Sequence, residues 1–276
     1  MKKMKKLGMF LSIIMIISML SACGSNETSK GEGNNKEAKS GDSKTLRIVT
    51  NANFAPMEYL DGDKVLGFDV DFVKAVAEEA GYEAKVEHVG WDALFIEVEG
   101  KTADLGIAAI TINDDRKQTY DFSVPYYASN IQILVPENSE IKTAQDIKGK
   151  VVSVQNGTTG MDAAEAVIGK GSPDIKKFED NNLAIQEMLN GGADAVLADK
   201  PVVEEYVKNN SDQKLKVVDD VSFEQEYYGI VFAKGSKLKE EFDQAINAIY
   251  DNGKYAEIYK KWFGIEPDIE HLKGLQ

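Results

Sequence analysis

The chain has 276 residues and a formal net charge of −14, with two histidines and one cysteine. A surface this acidic argues against nucleic-acid binding, which requires a basic face. The charge weakly favours a cationic ligand through long-range steering, although it would also simply keep a secreted protein soluble. A single cysteine excludes an intramolecular disulfide, and no His/Cys spacing predicts a metal site or a thiol nucleophile. We therefore expect no metal and no cofactor.

The amino terminus has the layout of a secretory signal peptide. Four lysines precede an apolar run over residues 7–20, which is short for a transmembrane helix of about 20 residues. The sequence Leu20-Ser21-Ala22-Cys23 resembles the bacterial lipobox, in which the cysteine receives a diacylglyceryl group. We therefore expect a signal peptide over residues 1–22 and a lipid anchor at Cys23, on the extracytoplasmic face of the cell membrane. The alternative is that Cys23 is a buried structural thiol.

Residues 23–44 form the next segment, which is rich in Gly, Ser, Asn, Glu and Lys and has no large apolar side chain. Such a segment cannot bury a core, so we expect a flexible tether of about 25 Å mean reach. Residues 1–44 carry eight lysines against four acidic residues, which leaves a net charge of −18 for residues 45–276. That part is long enough for one large or two modest domains.

The predicted elements after residue 45 alternate between strands and helices, which is typical of an α/β domain with mostly parallel pairing. In the first half we predict a strand over 46–50, a helix over 69–80 that Gly81 ends, a strand over 84–89, a short helix over 91–98 and a strand over 104–109. The first helix begins with Asp69 and Asp71, where carboxylates interact favourably with the helix dipole.

The second half begins a similar series. We predict a strand over 131–135, a capped turn from Thr143, a strand over 151–154, helices from near Thr159 and Asn182, a strand over 193–197, and a helix with Pro201 in its first turn. A strand over 228–233 and two amphipathic helices, ended by Gly253 and Gly264, complete the chain.

The two halves repeat one unit. In each half a helix, a glycine and an Ala-Asp pair come before a strand, with Ala103-Asp104 in the first and Ala193-Asp194 in the second. A supersecondary unit used twice predicts two related lobes rather than one continuous sheet.

Polar and aromatic residues follow the carboxyl ends of the predicted strands, where open α/β sheets bind their ligands. They are Asn51, Phe54, Trp91, Thr111, Arg116, Gln155, Thr158, Thr159 and Asp199. Arg116 can bind a carboxylate with two parallel hydrogen bonds, helped by the amides at the helix start near Thr159. Asp199 can accept hydrogen bonds from an ammonium. Each residue alone could be a solvated charge or a helix cap, but the set predicts an amino-acid site.

Several motifs, in order from residue 46 to residue 264, resemble the bacterial solute-binding family 3, the polar amino-acid-binding proteins of ABC importers. They are FAPMEY at 54–59, GFDVD at 67–71, ITINDDRK at 110–117, DFSVPYY at 121–127 and YAEIYKKWFG at 255–264. The resemblance implies a two-lobed, type II periplasmic-binding-protein-like α/β fold, whose lobes are joined by two hinge strands. It implies that lobe one is 45–128 plus 229–265, that lobe two is 129–228, and that 266–276 is a tail.

The resemblance also implies roles for the site residues. Arg116 and Thr111, with the amides near Ala109 and Thr159, would hold the ligand carboxylate. Asp199 would hold the ligand ammonium. The ligand side chain would lie between the rings of Phe54 and Trp91.

The remaining site positions indicate which amino acid is bound. Gln155 and Ala198 stand where glutamine-binding relatives have a lysine and a histidine, which removes two marks of a glutamine site. Residues 89–92 and 154–160 look closest to the arginine- and lysine-binding branch. Asn51, however, stands where cation binders usually have an aspartate. We expect arginine or lysine, with glutamine or another neutral polar amino acid, cystine included, as the alternative.

The expected function is therefore that of a monomeric, extracytoplasmic binding protein that delivers an amino acid to the permease and ATPase subunits of an ABC importer. Two alternatives are kept. A dehydratase-like enzyme on the same fold would need a general acid or base in the cleft, for which Glu58 and Asp92 are the candidates. A sensor domain would be fused to membrane spans or signalling modules.

Overall fold

The computed structural model describes residues 44–276. The predicted signal peptide (residues 1–22), the predicted lipid anchor Cys23 and all but the last residue of the predicted tether lie outside the described residues. Within residues 44–276, no helix is both long enough and apolar enough to cross a membrane.

Strands and helices alternate as predicted over most of this range. The strands are β1 (Thr45–Thr50), β2 (Asn53–Phe54), β3 (Glu58–Asp61), β4 (Lys64–Leu66), β5 (Glu83–His88), β6 (Leu105–Gly106), β7 (Tyr120–Phe122), β8 (Tyr127–Pro136), β9 (Val152–Gln155), β10 (Ile175–Phe178), β11 (Ala195–Asp199), β12 (Leu215–Val218), β13 (Gln225–Tyr228) and β14 (Val231–Ala233). The helices are α1 (Phe68–Glu79), α2 (Trp91–Glu99), α3 (Asp114–Thr119), α4 (Thr159–Ile168), α5 (Asn181–Leu189), α6 (Lys200–Asn209), α7 (Leu238–Asp251), α8 (Lys254–Phe263) and α9 (Ile269–Lys273). Short 3₁₀ turns lie at Ala144–Ile147 and Ser211–Gln213.

Two sheets of the same design form the framework. The first has the strand order β5-β1-β6-β14-β7, and the second has the order β10-β9-β11-β8-β12. In each sheet the second strand of this order, β1 or β9, pairs in parallel with both neighbours, and the fourth strand runs antiparallel to the third. We call the parts built on these sheets the first lobe and the second lobe. The predicted two-lobed α/β fold is confirmed.

The chain passes between the lobes along two strands. The start of β8 pairs with β13, whereas the rest of β8 pairs with β11 and β12 of the second sheet. The strands before β8 and after β13 both belong to the first sheet. These two strands are therefore the hinge connections, while the residue boundaries given for the lobes stay a prediction.

The predicted repeat extends to matching hydrogen bonds. In the first lobe, Asp104 accepts from the amide of Arg47 at 2.8 Å and donates its own amide to the Arg47 carbonyl at 2.9 Å. In the second lobe, Asp194 accepts from the amide of Val151 at 2.8 Å and donates to the Val151 carbonyl at 2.7 Å. Each Ala-Asp pair thus joins a β-strand to the strand beside it in the same way.

The cores of the two lobes differ in composition. The main core of the first lobe is rich in aromatic side chains. Among them are Phe72 and Tyr126, whose rings stack with their centroids 4.5 Å apart. Tyr255 of the predicted last amphipathic helix is fully buried in the same core. The corresponding core of the second lobe is aliphatic, with Ile133 and Val154 as typical members. Full burial of such a side chain contributes about 1.5–3 kcal/mol.

Three predicted elements need correction. The strand predicted over 104–109 ends at Gly106, because the backbone leaves the sheet and Ala109 adopts a positive φ of 48°. The strand predicted over 228–233 is two strands, because Gly229 and Ile230 carry the chain from one sheet to the other. The predicted tail contains α9, whose Leu272 is buried against the first-lobe core.

Candidate functional site

A narrow cavity of about 10 Å³ lies where strand ends from both lobes meet. It is lined by Asn51, Phe54, Trp91, Ala108, Ala109, Thr111, Arg116, Gln155, Thr158, Thr159 and Asp199. All nine residues predicted to bind ligand, which are Asn51, Phe54, Trp91, Ala109, Thr111, Arg116, Gln155, Thr159 and Asp199, are in this lining. The fold therefore brings them together, and their contact with a ligand stays a prediction.

Arg116 reaches across this cavity from α3. The side chain of Asn113 caps that helix by accepting from the Arg116 amide at 2.9 Å, which sets the start of the helix. The Arg116 guanidinium donates to the carbonyl of Thr111 at 2.8 Å and to the carbonyl of Gly157 in the second lobe at 3.3 Å. Its remaining N–H groups are available to a carboxylate.

Two aromatic rings support the guanidinium. The guanidinium carbon of Arg116 lies 5.3 Å from the ring centroid of Trp91 and 5.6 Å from that of Phe95. Trp91 also donates its indole N–H to the Gly157 carbonyl at 3.3 Å. Phe95, which sequence reasoning missed, thus helps to position the predicted carboxylate-binding group, and its spacing of four residues from Trp91 on one helix was the available signal.

Asp199 is the last residue of β11 and is only 5% exposed. Its carboxylate accepts a hydrogen bond from the hydroxyl of Tyr228 at 2.5 Å. Burial, helped by the nearby charge of Glu226, raises the pKa of Asp199 to about 7, although Tyr228 and Arg116 oppose the shift. Asp199 is therefore poised to ionise when a cation binds beside it.

Glu226 on β13 is a residue that sequence reasoning missed. A single oxygen of its carboxylate accepts from the hydroxyl of Thr111 at 2.7 Å and from the hydroxyl of Thr159 at 2.9 Å. Glu226 thus connects the two lobes behind the cavity, and burial raises its pKa. Because a hydroxyl has one proton, the Thr111 side chain cannot donate to a ligand carboxylate while it donates to Glu226.

The role implied for the Ala109 amide also needs correction. This amide donates to a carboxylate oxygen of Asp69 at 2.8 Å, so it is not available to the ligand carboxylate. Ala109 can offer the cavity only its carbonyl oxygen. Sequence reasoning treated Asp69 as a helix-start residue and gave no signal of this contact.

A second cavity, of about 330 Å³, shares Asn51 and Trp91 with the first. Its lining includes three acidic residues, Asp92 from the first lobe and Glu179 and Asp180 from the second. The carboxylates of the second cavity therefore lie next to the part of the first cavity that Asn51 lines. Within residues 44–276, no group of three His, Cys, Asp or Glu side chains is placed to hold a metal ion.

The two carboxylates weighed as catalytic groups occupy different places. Glu58 is completely buried and does not line the first cavity, whereas Asp92 is exposed at the second. Within the described residues, the ionisable groups in the first cavity's lining are Arg116 and Asp199.

Comparisons with known proteins agree with this geometry. Residues 46–265 match the profile of the "Bacterial extracellular solute-binding proteins, family 3". A "Probable histidine-binding protein" of Neisseria gonorrhoeae is 36% identical over 251 residues, which are 90% of this chain and 91% of the relative. The "Arginine-binding extracellular protein ArtP" of Bacillus subtilis is 34% identical over 264 residues, 94% of this chain and 98% of the relative.

A solved structure is similar in fold as well as sequence. The arginine-, lysine-, histidine-binding protein ArtJ of Geobacillus stearothermophilus superposes with a TM-score of 0.82 at 51% identity. The match covers 83% of this chain and all of the ArtJ chain.

Proposed function

The chain belongs to the bacterial extracellular solute-binding proteins, family 3, and on that basis we propose that it binds a basic amino acid, arginine or lysine, for an ABC importer. The observation that carries the proposal is one cavity in which Arg116 from the first lobe and Asp199 from the second supply opposite charges. An amino acid offers the complementary pair, a carboxylate and an ammonium.

The backbone of the ligand would be recognised at this charged pair. Arg116 would bind the carboxylate, together with the amide of Thr159, which as the first residue of α4 has no acceptor within its helix. Asp199 would accept from the ammonium, and the Ala109 carbonyl would supply a second acceptor. These contacts would be shared by all amino acids, so they contribute to the affinity for each of them and do not select one amino acid over another.

The side chain of the ligand would pass between Phe54 and Trp91, which are 7% and 9% exposed. A cation over an aromatic face contributes about 0.5–2 kcal/mol. Beyond Asn51 the second cavity offers the carboxylates of Asp92 and Glu179, which a guanidinium or a long ammonium stem could approach. The names of the arginine-, lysine- and histidine-binding relatives support the same ligand class.

A neutral polar amino acid such as glutamine is the second candidate, and one observation favours it. Asn51 and Gln155, which occupy equivalent positions at the ends of β1 and β9, both line the cavity and carry side-chain amides, although that of Gln155 also donates to the Glu179 carbonyl at 3.1 Å. An amide pairs with another amide as well as with a guanidinium. Cystine, which is also neutral, falls in the same class.

A competition titration tests the ligand class. Protein stripped of bound ligand is titrated at moderate salt with arginine, lysine, histidine, glutamine and cystine. Arginine or lysine should bind best. If glutamine bound tighter than arginine by about tenfold, or 1.4 kcal/mol, the basic-amino-acid assignment would be wrong. If no amino acid bound, the proposed function itself would be wrong.

Anchoring and transport form the cellular part of the proposal. We propose that Cys23 is lipidated and holds the protein beside its permease, which is motivated by Leu20-Ser21-Ala22-Cys23. Cys23→Ala should move the processed protein from the membrane to the soluble fraction. In cells that lack the gene, the parent should restore uptake of labelled arginine and Arg116→Ala should not. Processed Cys23→Ala protein that stays on membranes would contradict the anchor.

The lobes are proposed to close on the ligand and to leave it chemically unchanged. The sheet membership of the strands supports lobe boundaries of 45–128 with 229–265 for the first lobe and 129–228 for the second. We expect bound ligand to be recovered intact by mass spectrometry after long incubation. Recovery of a dehydrated or otherwise altered product would favour the enzyme alternative.

A further inference from the structure

Two carboxyl groups are buried in the first lobe behind the cavity. Glu58 on β3 and Asp69 on α1 are both 0% exposed, and their side chains lie within hydrogen-bonding reach of each other. Within residues 44–276, neither oxygen of Glu58 nor Oδ1 of Asp69 has another hydrogen-bond partner. Two buried carboxylates repel each other and are costly to desolvate unless one of them is protonated. A proton held between the two groups removes that cost.

The shared proton lies on Glu58, because the Asp69 carboxylate has more hydrogen-bond donors to stabilise its negative charge. Asp69 Oδ2 accepts from the amide of Ala109 and from the hydroxyl of Tyr126, each at 2.8 Å. Burial and the charge of Asp69 raise the pKa of Glu58 well above its usual value, while burial raises that of Asp69 only to about 6. Hydrogen bonds to an ionised acceptor are the stronger kind.

Asp69 contacts a residue whose backbone conformation is unusual. Ala109 has a φ of 48°, which is in the left-handed region that alanine avoids because of its Cβ. The residue lines the cavity, whereas Glu58 and Asp69 do not. With its N–H donated to Asp69, Ala109 keeps only its carbonyl as a backbone group for the cavity wall.

We propose that Glu58 and Asp69 are positioning residues for the ligand site. Protonated Glu58 stabilises the Asp69 anion, and that anion holds the Ala109 amide, so that the wall offers no N–H at this point to the ammonium end of an amino acid. This inference rests on the proposed function, because it assumes an amino-acid ligand. It applies to all amino acids alike, since the ammonium is common to them.

The first test replaces the anion with a neutral group of the same shape. Asp69→Asn should lower the affinity for both arginine and glutamine by about tenfold or more, measured by calorimetry. Tyr126→Phe is the matched control, because it removes the other hydrogen bond to the same oxygen and leaves the Ala109 contact in place. It should lower the melting temperature but change either affinity by less than about threefold.

A rescue separates positioning from general stability. Glycine adopts left-handed backbone without the Cβ clash, so Asp69→Asn/Ala109→Gly should recover most of the affinity that Asp69→Asn loses. A solely structural role for Asp69 predicts no such recovery. Failure of the rescue, or equal affinity losses in Asp69→Asn and Tyr126→Phe, would overturn the proposal.

Variants of Glu58 test the shared proton and stand in if Asp69→Asn does not fold. Glu58→Gln keeps a donor toward Asp69 and should bind within about threefold of the parent. Glu58→Met removes the donor and leaves the Asp69 charge without it, so affinity should fall by about tenfold. Equal binding by both variants would contradict the proposal.

The failure of this inference can be told apart from the failure of the proposed function. If the parent protein binds neither arginine nor glutamine, the proposed function is wrong. If the parent binds both and Asp69→Asn binds them equally well, only this inference is wrong.

Discussion

The two lobes can be compared residue by residue over one segment. Ala103 to Ala109 in the first lobe corresponds to Ala193 to Asp199 in the second, since Asp104 and Asp194 make the same pair of hydrogen bonds to the neighbouring strand. Both segments end at the cavity, yet one ends in alanine and the other in aspartate. The repeated unit thus determines where the residue lies, and the identity of that residue determines what it can bind.

Each lobe nevertheless places a hydrogen-bond acceptor at this position. The second lobe uses the Asp199 carboxylate, which Tyr228 holds from β13. The first lobe has the Ala109 carbonyl, one peptide unit beyond the amide that Asp69 holds from α1. Different side chains from outside the repeated segment therefore hold the residue at this position in each lobe.

The largest expected effect comes from removing one member of the charged pair that the two lobes contribute. Arg116→Ala or Asp199→Ala should lower the affinity for every amino acid by about 2–5 kcal/mol, because the remaining charge is left without its partner. Asp63→Asn, at an exposed position on the turn between β3 and β4, should bind like the parent in the same calorimetry. Parent-like binding by either alanine variant would place the site elsewhere.

The second prediction concerns pH and applies to the second-lobe acceptor. Because the pKa of Asp199 is about 7 before a ligand binds, affinity should fall as the pH is lowered below 7, by up to about tenfold per pH unit. Asp199→Asn should lose most of this dependence, since a carbonyl acceptor such as that of Ala109 does not titrate. Titrations of both proteins between pH 5 and about 8 measure the difference. An unchanged slope in Asp199→Asn would assign the titration to another group.

The same raised pKa has the opposite consequence for stability without ligand. Between about pH 4, where an unfolded aspartate titrates, and pH 7, the folded protein binds more protons at Asp199 than the unfolded chain does. The free energy of unfolding should therefore decrease as the pH rises through this window. Denaturant titrations of the parent and Asp199→Asn should show a smaller decrease in the variant.

The repeated aspartates allow a direct comparison of the lobes. Asp104→Ala and Asp194→Ala should each lower the free energy of unfolding by about 1 kcal/mol through loss of a side-chain hydrogen bond. The Asp104 change should cost more, because that bond is partly buried and the Asp194 bond is exposed. Denaturant unfolding measures both. A larger loss at Asp194 would show that the matching geometry does not have matching energetics.

The smallest expected effect is at the acidic second cavity. Asp92→Asn and Glu179→Gln, one from each lobe, should weaken arginine binding by about 0.2–1 kcal/mol each and leave glutamine binding unchanged, because exposed charges are screened. The arginine effect should shrink with added salt. Equal losses for arginine and glutamine would indicate a general effect on the site rather than recognition of a cationic side chain.

Local patterns predicted the order of the main elements and most members of the cavity. Apolar periodicity, glycine stops and the Ala-Asp pairs are short-range features, and they predicted the longer helices and the strands β1, β5, β6, β8, β9 and β11, but not α3, which carries Arg116. Because parallel strands place their carboxyl ends at one edge of a sheet, residues that follow those ends could be expected to meet. Eight of the nine predicted residues illustrate this in the lining of the first cavity, while Ala109 was expected only from the family resemblance.

Only the tertiary structure decided how the polar atoms of those residues are used. The Ala109 amide is taken by Asp69, 40 positions earlier, and the Thr111 hydroxyl by Glu226, 115 positions later. The left-handed conformation of Ala109 likewise had no mark in the sequence, since alanine does not favour it. A hydrogen bond depends on distances of tenths of an ångström between groups that packing brings together, and periodicity within a strand or helix contains no information about those distances.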